Sequence, residues 1–474
     1  MFRIIWLQFR HSLKVWGLTL FLFIVTGFLT GACLNAIQTI ADHYPHLSKN
    51  INPTNGFYFP LLFGILTIFI VSSGVVKLVI NRLSKEYILW VILGANPHQL
   101  SLLIGGQLAL TGALGSFIGF VLAVPPMVSL DRWFIVVYEG SYFAQRVPAL
   151  PLEFSLSACG LTVGFIAVVS GLAGYLHAHQ LFASTQSDIL AFKKKPAKLQ
   201  LIIRGFLMIV SAAGLIFCYV DSLILTPQAQ HFLRVGQFHE AAKTYITNLM
   251  LIILLSIIFF SLVSQIILPW LIKGWTWLLP RKTSPTVNTA FWNTIFDQDY
   301  LSSLISPLVA GSLMLTGITL IASEITNGGT NQEAATNIKE SLVIFVGTPL
   351  LIILANVLTI TIMTSTQKRD GLTQLSILGF TPKDLLGEKF QEAIIYSGTF
   401  LICGVLANLP LYLLIKHIVV MTHKTMTLSW LANFMWPVWL WVIIMIFIAS
   451  VDGLQVGYGL KNQVGNLILP ISKQ

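Results

Sequence analysis

Ten long apolar runs alternate with short polar joints along this chain, near residues 13–37, 57–80, 101–128, 155–178, 202–222, 245–272, 300–323, 341–364, 389–415 and 430–451. About 20 consecutive apolar residues cross a bilayer as a helix, so each run is expected to span. The runs are continuous rather than alternating, which excludes a transmembrane barrel. The expected fold class is an all-α polytopic membrane protein with about ten transmembrane helices.

The joints divide the spans into groups. Spans one to four and seven to ten form two matching sets, and spans five and six sit between them as an extra hairpin. The expected divisions are 1–180, a 181–285 segment made of a basic linker plus that hairpin, and 286–474. The linker contains Lys193-Lys194-Lys195, and the loops on the opposite side are short. Met1 to Arg10 mixes apolar positions with Arg3 and Arg10, as expected of an amphipathic helix lying on a membrane surface. Phe291-Trp292-Asn293-Thr294-Ile295-Phe296, just before span seven, is expected to do the same.

One short segment occurs twice, 285 residues apart. Ile92-Leu93-Gly94-Ala95-Asn96-Pro97-His98-Gln99-Leu100 is echoed by Ile377-Leu378-Gly379-Phe380-Thr381-Pro382-Lys383-Asp384-Leu385. At the same displacement Gly119 meets Gly404 and Pro125 meets Pro410. Each copy reads as helix, break, helix. A span continues into a charged extension, ends at Gly94 or Gly379, and restarts with Asn96 or Thr381 as N-cap and Pro97 or Pro382 at the first helical position. Gln99 or Asp384 at the third position makes a capping-box-like start. Two sharp elbows are expected on one side of the membrane.

Composition supports the membrane reading. Hydrophobic residues make up 55% and charged residues 10%, too few charges for a soluble chain of 474 residues. The net charge of +10 is topological. With the N-terminus inside, 20 of the 28 Lys and Arg fall on inner segments, so both termini are expected in the cytoplasm, with anionic lipid as counterpart and no role for nucleic acid.

Other candidates weigh less. Cys33, Cys159, Cys218 and Cys403 lie in separate spans and read as small buried hydrophobes. The histidine pairs His43/His46 and His177/His179 lack the further ligands a metal needs, so no metal site is expected. Lys77, Asp221, Glu388, Glu392 and Asp452 lie near span ends, where they are expected to reach water, with Glu392 the deepest. Small-residue faces (Gly112, Gly115, Ser116 and Gly119 on span three; Gly160, Gly164, Ser170, Gly171 and Gly174 on span four) suit close helix packing in lipid.

The Lys85-Glu86 pair, Leu93-Gly94-Ala95 and the Gly112/Gly115/Gly119 span make the chain resemble the FtsX/MacB-type permeases of ABC transporters, in the ten-span two-module form of the BceB group. The resemblance covers most of the chain by topology, and by sequence chiefly 80–126 and 365–410. It implies two four-span FtsX-like modules joined by a helix pair, in a bacterial cytoplasmic membrane. It also implies that the elbows dock a separate ABC-type ATPase, two copies per permease chain. The coupling residues would be Lys85, Glu86, Trp90, Leu93, Gly94, Asn96 and Pro97 at the first elbow. At the second they would be Lys368, Arg369, Leu378, Gly379, Thr381, Pro382 and Lys383. ATP and Mg would be used by that partner, since this chain has no Gly-Lys dipeptide and hence no Walker A loop.

Three departures stand out. The family arginine before the glycine is Val91 in one copy and Ser376 in the other, and Gly371 replaces the glutamate of the second copy. The large extracellular domain of the BceB group is replaced by about 324–340, a place an accessory extracellular or lipoprotein partner could take. A permease that exports cargo or transmits force is the first expectation, with a peptide or lipid-like cargo suited to so apolar an interior. A sensor or scaffold that regulates a partner, and a proton-coupled carrier, are the alternatives. No nucleophile–base or metal constellation marks an intramembrane enzyme.

Overall fold

The apolar runs fold into helices, several of them longer than a bilayer is thick. The computed structural model describes the backbone of residues 13–43, 54–92, 94–137, 153–182, 198–278, 284–326, 346–367, 369–423 and 430–468. Every regular element among them is helical: α1 (Leu13–His43), α2 (Thr54–Ile92), α3 (Pro97–Val137), α4 (Leu156–Phe182), α5 (Lys198–Leu223), α6 (Pro227–Arg234), α7 (Phe238–Lys243), α8 (Ile246–Leu278), α9 (Pro285–Phe296), α10 (Gln298–Leu320), α11 (Gly347–Gln367), α12 (Arg369–Ile377), α13 (Pro382–Met421) and α14 (Trp430–Ile468). A π-helical turn, Ile321–Thr326, continues α10. Ten of these helices are long and apolar enough to cross a membrane. The chain is an all-α polytopic membrane protein of about ten spans. Met1 to Arg10 and Lys193-Lys194-Lys195 lie outside the described residues.

The chain forms two compact units, Met1–Ile203 with Lys339–Thr359, and Arg204–Ile338 with Ile360–Gln474. In the first, α3 is gripped from two sides by α1 and α4. Small residues make this possible. A Cβ on Gly119 would lie 2.2 Å from the Ile24 carbonyl oxygen, and one on Gly27 would lie 2.4 Å from Ser116 Cα. On the α4 side, Gly112 sits over Ser170 and Gly174 over Leu108. Without a hydrophobic drive between helices in lipid, such close approach supplies the dispersion that holds them. Gly160 and Gly164 differ, for nothing lies within 4 Å of their Cβ positions. Span three thus uses its small face for packing, whereas span four uses only part of its own. Buried Asn35 closes the far end of the unit, donating to the Glu153 carbonyl and accepting from the Ser155 N–H, each at 3.0 Å.

In the second unit, α10 is buried along its whole span and packs against α8, α13 and α14. Tyr300 and Tyr396 stack edge to face at 4.9 Å, and Asn408 Nδ2 donates to Ser312 Oγ at 3.2 Å. Residue numbers rise together along both helices, so α10 and α13 run parallel. Contacts of Gly27 with Ser116 and of Gly31 with Phe120 make α1 and α3 parallel in the same way. The α5 helix is peripheral, exposing Ile202, Phe206, Ile209, Ile216 and Phe217. Its Arg204 reaches α8, donating to the Leu262 carbonyl and to Gln265.

Candidate functional site: two elbows and the helix start behind the second

Both elbows form as helix, glycine, helix. Gly94 and Gly379 adopt left-handed backbones, with φ of +95° and +93°. At the second elbow the Phe380 N–H bonds the Leu375 carbonyl and the Gly379 N–H the Ser376 carbonyl, each at 3.1 Å. This pair of bonds is a Schellman ending, and the left-handed Gly379 backbone suits it. The next helix starts at once. Thr381 caps α13, accepting from the Asp384 N–H at 3.3 Å, while Asp384 Oδ2 accepts from the Thr381 N–H at 3.0 Å. The capping box is complete, with Pro382 at the first position. At the first elbow Asn96 Oδ1 accepts from the His98 N–H at 3.0 Å, a simpler cap that does not need Gln99.

The second elbow presents an apolar tip. Ile377 and Leu378 are 80% and 76% exposed, and Gly379, Thr381, Pro382 and Lys383 around them are exposed too. Lys368 and the Arg369 side chain lie outside the described residues. At the first elbow Lys85, Glu86 and Trp90 belong to the last turns of α2, but their side chains and Leu93 lie outside the described residues. Gly94 and Asn96 are exposed and Pro97 is half-buried. His98, just past the elbow, lies 4.5 Å from the His179 ring of α4. His177 instead bonds Ser73 of α2 at 3.0 Å. The helix before the first elbow, α2, runs through Ile92, and α12 (Arg369–Ile377) leads into the second.

Behind the second elbow lies a cluster that corrects the sequence expectation. Glu388, Glu392 and Asp452 were expected to reach water at span ends, yet Glu388 and Glu392 are fully buried and Asp452 nearly so. Lys389, also buried, places its ammonium 3.1 Å from Glu392 and 3.5 Å from Glu388. Asn293 Nδ2 of α9 donates to Glu388 Oε1 at 2.6 Å. The cause is packing: α9, α10 and α14 all pack against α13 and cover this turn from water. The glutamates are four residues apart, so they share one helix face. That spacing was visible in sequence; the helices covering it were not.

The α9 helix forms as its amphipathic pattern predicts. Ala290, Phe291 and Thr294 are buried, whereas Trp292 and Phe296 stay exposed with rings 6.2 Å apart. All four cysteines are buried and free. No group of three or more metal-ligating side chains occurs among the described residues. No protein-family model matches this chain, and no curated protein matches it.

Proposed function

We propose that this chain is the permease subunit of an ABC-type transporter, of the FtsX/MacB kind, with the two elbows as docking points for a separate ATPase. The observation that carries the reading is the second elbow tip. Two large apolar side chains, Ile377 and Leu378, stand exposed on a turn fixed by a left-handed glycine and a full capping box. A loop needs no such rigidity merely to connect two spans. A small rigid apolar knob suits a groove on a soluble partner.

The first elbow repeats the Ile-Leu-Gly sequence and the glycine backbone, which supports two ATPase copies per chain. Closure of an ATPase pair would then push on α3 and α13, which begin directly at the elbows. Both termini and both elbows would face the cytoplasm of a bacterial cell, as the charge distribution favours. The cargo would be apolar or amphipathic, peptide or lipid-like. Copurification from the native membrane tests this reading.

A second reading draws on the buried charges. Glu388, Lys389 and Glu392 on a span, with Glu324 buried in the π-helical turn of another, suit an ion-coupled carrier. Such a carrier would work without any ATPase, so the same copurification separates the two.

A further inference from the structure

We infer that the Asn293–Glu388 bond makes the helix α9 and the second elbow move as one body. The inference rests on the permease reading for its purpose, though not for its geometry.

The elbow and the joint share one helix. Glu388 lies six residues after Pro382, about 9 Å along α13 at 1.5 Å per residue. No hinge intervenes in an unbroken helix, so displacement of the elbow carries Glu388 with it. Glu388 in turn holds α9 through the 2.6 Å bond from Asn293, a hydrogen bond to a carboxylate in a buried setting. Lys389, held between Glu388 and Glu392, keeps the acceptor in place. A second tie lies farther along, where Trp275 of α8 donates to Thr399 Oγ1 at 3.0 Å and its ring lies over Gly398. Both α8 and α9 are therefore fastened to α13, at two levels.

The opposite face of α9 carries Trp292 and Phe296 exposed, directly before the buried span α10. Trp and Phe so placed suit the bilayer interface. Elbow motion would thus shift a membrane-surface helix. In the first copy, 285 residues earlier, Glu388 and Lys389 correspond to buried Leu103 and Ile104. The charged pair of the second copy has no charged counterpart at these two positions.

The test is a distance between spin labels on Trp292→Cys and Lys383→Cys in the full chain in nanodiscs; the native cysteines are buried. A narrow distribution is expected in this parent. It should broaden in Asn293→Leu, and stay narrow in Glu388→Gln, which keeps an oxygen to accept the bond. If Asn293→Leu does not fold, Asn293→Ala reads the same distance. A distribution as narrow in the asparagine variant as in the parent overturns the joint. Failure of the chain to bind an ATPase leaves this distance unchanged and bears on the permease reading alone.

Discussion

Gly94 and Gly379, 285 residues apart in the chain, hold the same left-handed backbone, with φ of +95° and +93°. Each ends one helix and lets the next begin three residues later, at Pro97 or Pro382. The shared displacement reaches further than sequence identity does. Gly27 approaches Gly119 across α1 and α3, and their counterparts Ser312 and Gly404 face each other across α10 and α13, with Ser312 Oγ 3.6 Å from a Cβ built on Gly404.

The glycine backbones give the first prediction. Alanine at Gly94 or Gly379 meets open space but must adopt a left-handed conformation. Each single substitution should cost about 1–2 kcal/mol. Thermal unfolding in detergent reads the loss. Equal stability of Gly379→Ala and the parent would mean that the elbow relaxes to another turn.

The cap gives the second. Thr381 Oγ1 accepts from the Asp384 N–H, and the Thr381 N–H donates to the Asp384 carboxylate in return. Thr381→Ala should cost about 1 kcal/mol, and Thr381→Ser most of that less, because serine keeps the acceptor oxygen. The same unfolding assay ranks the three chains.

Packing in the first unit gives the third. A side chain at Gly119 collides with backbone of α1, whereas one at Gly164 meets nothing within 4 Å. Gly119→Val should lower stability by about 1–3 kcal/mol or prevent folding, and Gly164→Val should change it by less than about 0.5 kcal/mol. Size-exclusion profiles and melting temperatures distinguish the two.

The charge cluster gives the fourth. Lys389→Met leaves the Glu388 and Glu392 carboxyls buried without the ammonium they share. Removing one partner from a buried ionic group costs about 3–5 kcal/mol. A melting temperature equal to that of the parent would show that the cluster is solvated in the membrane.

Much of this architecture was legible in the sequence, for stated physical reasons. Run length alone fixes a span, so all ten were visible. Gly, Pro and Thr have narrow backbone preferences, so Gly379, Thr381 and Pro382 disclosed the elbow before any coordinates. Burial of Glu388 and Glu392 was not legible, because nearness to a span end says nothing about which helices cover that end. The pairing of Gly27 with Gly119 escaped for another reason. Close helix crossings need small residues rather than particular ones, and Gly27 and Ser312 serve equally well without matching.

The most direct test of the central claim is affinity purification of the chain from its native membrane in mild detergent, with native mass and copurifying proteins determined. The account predicts a soluble ATPase at two copies per chain, lost on Leu378→Asp while the chain stays folded. A stable, folded chain that carries no ATPase would contradict it.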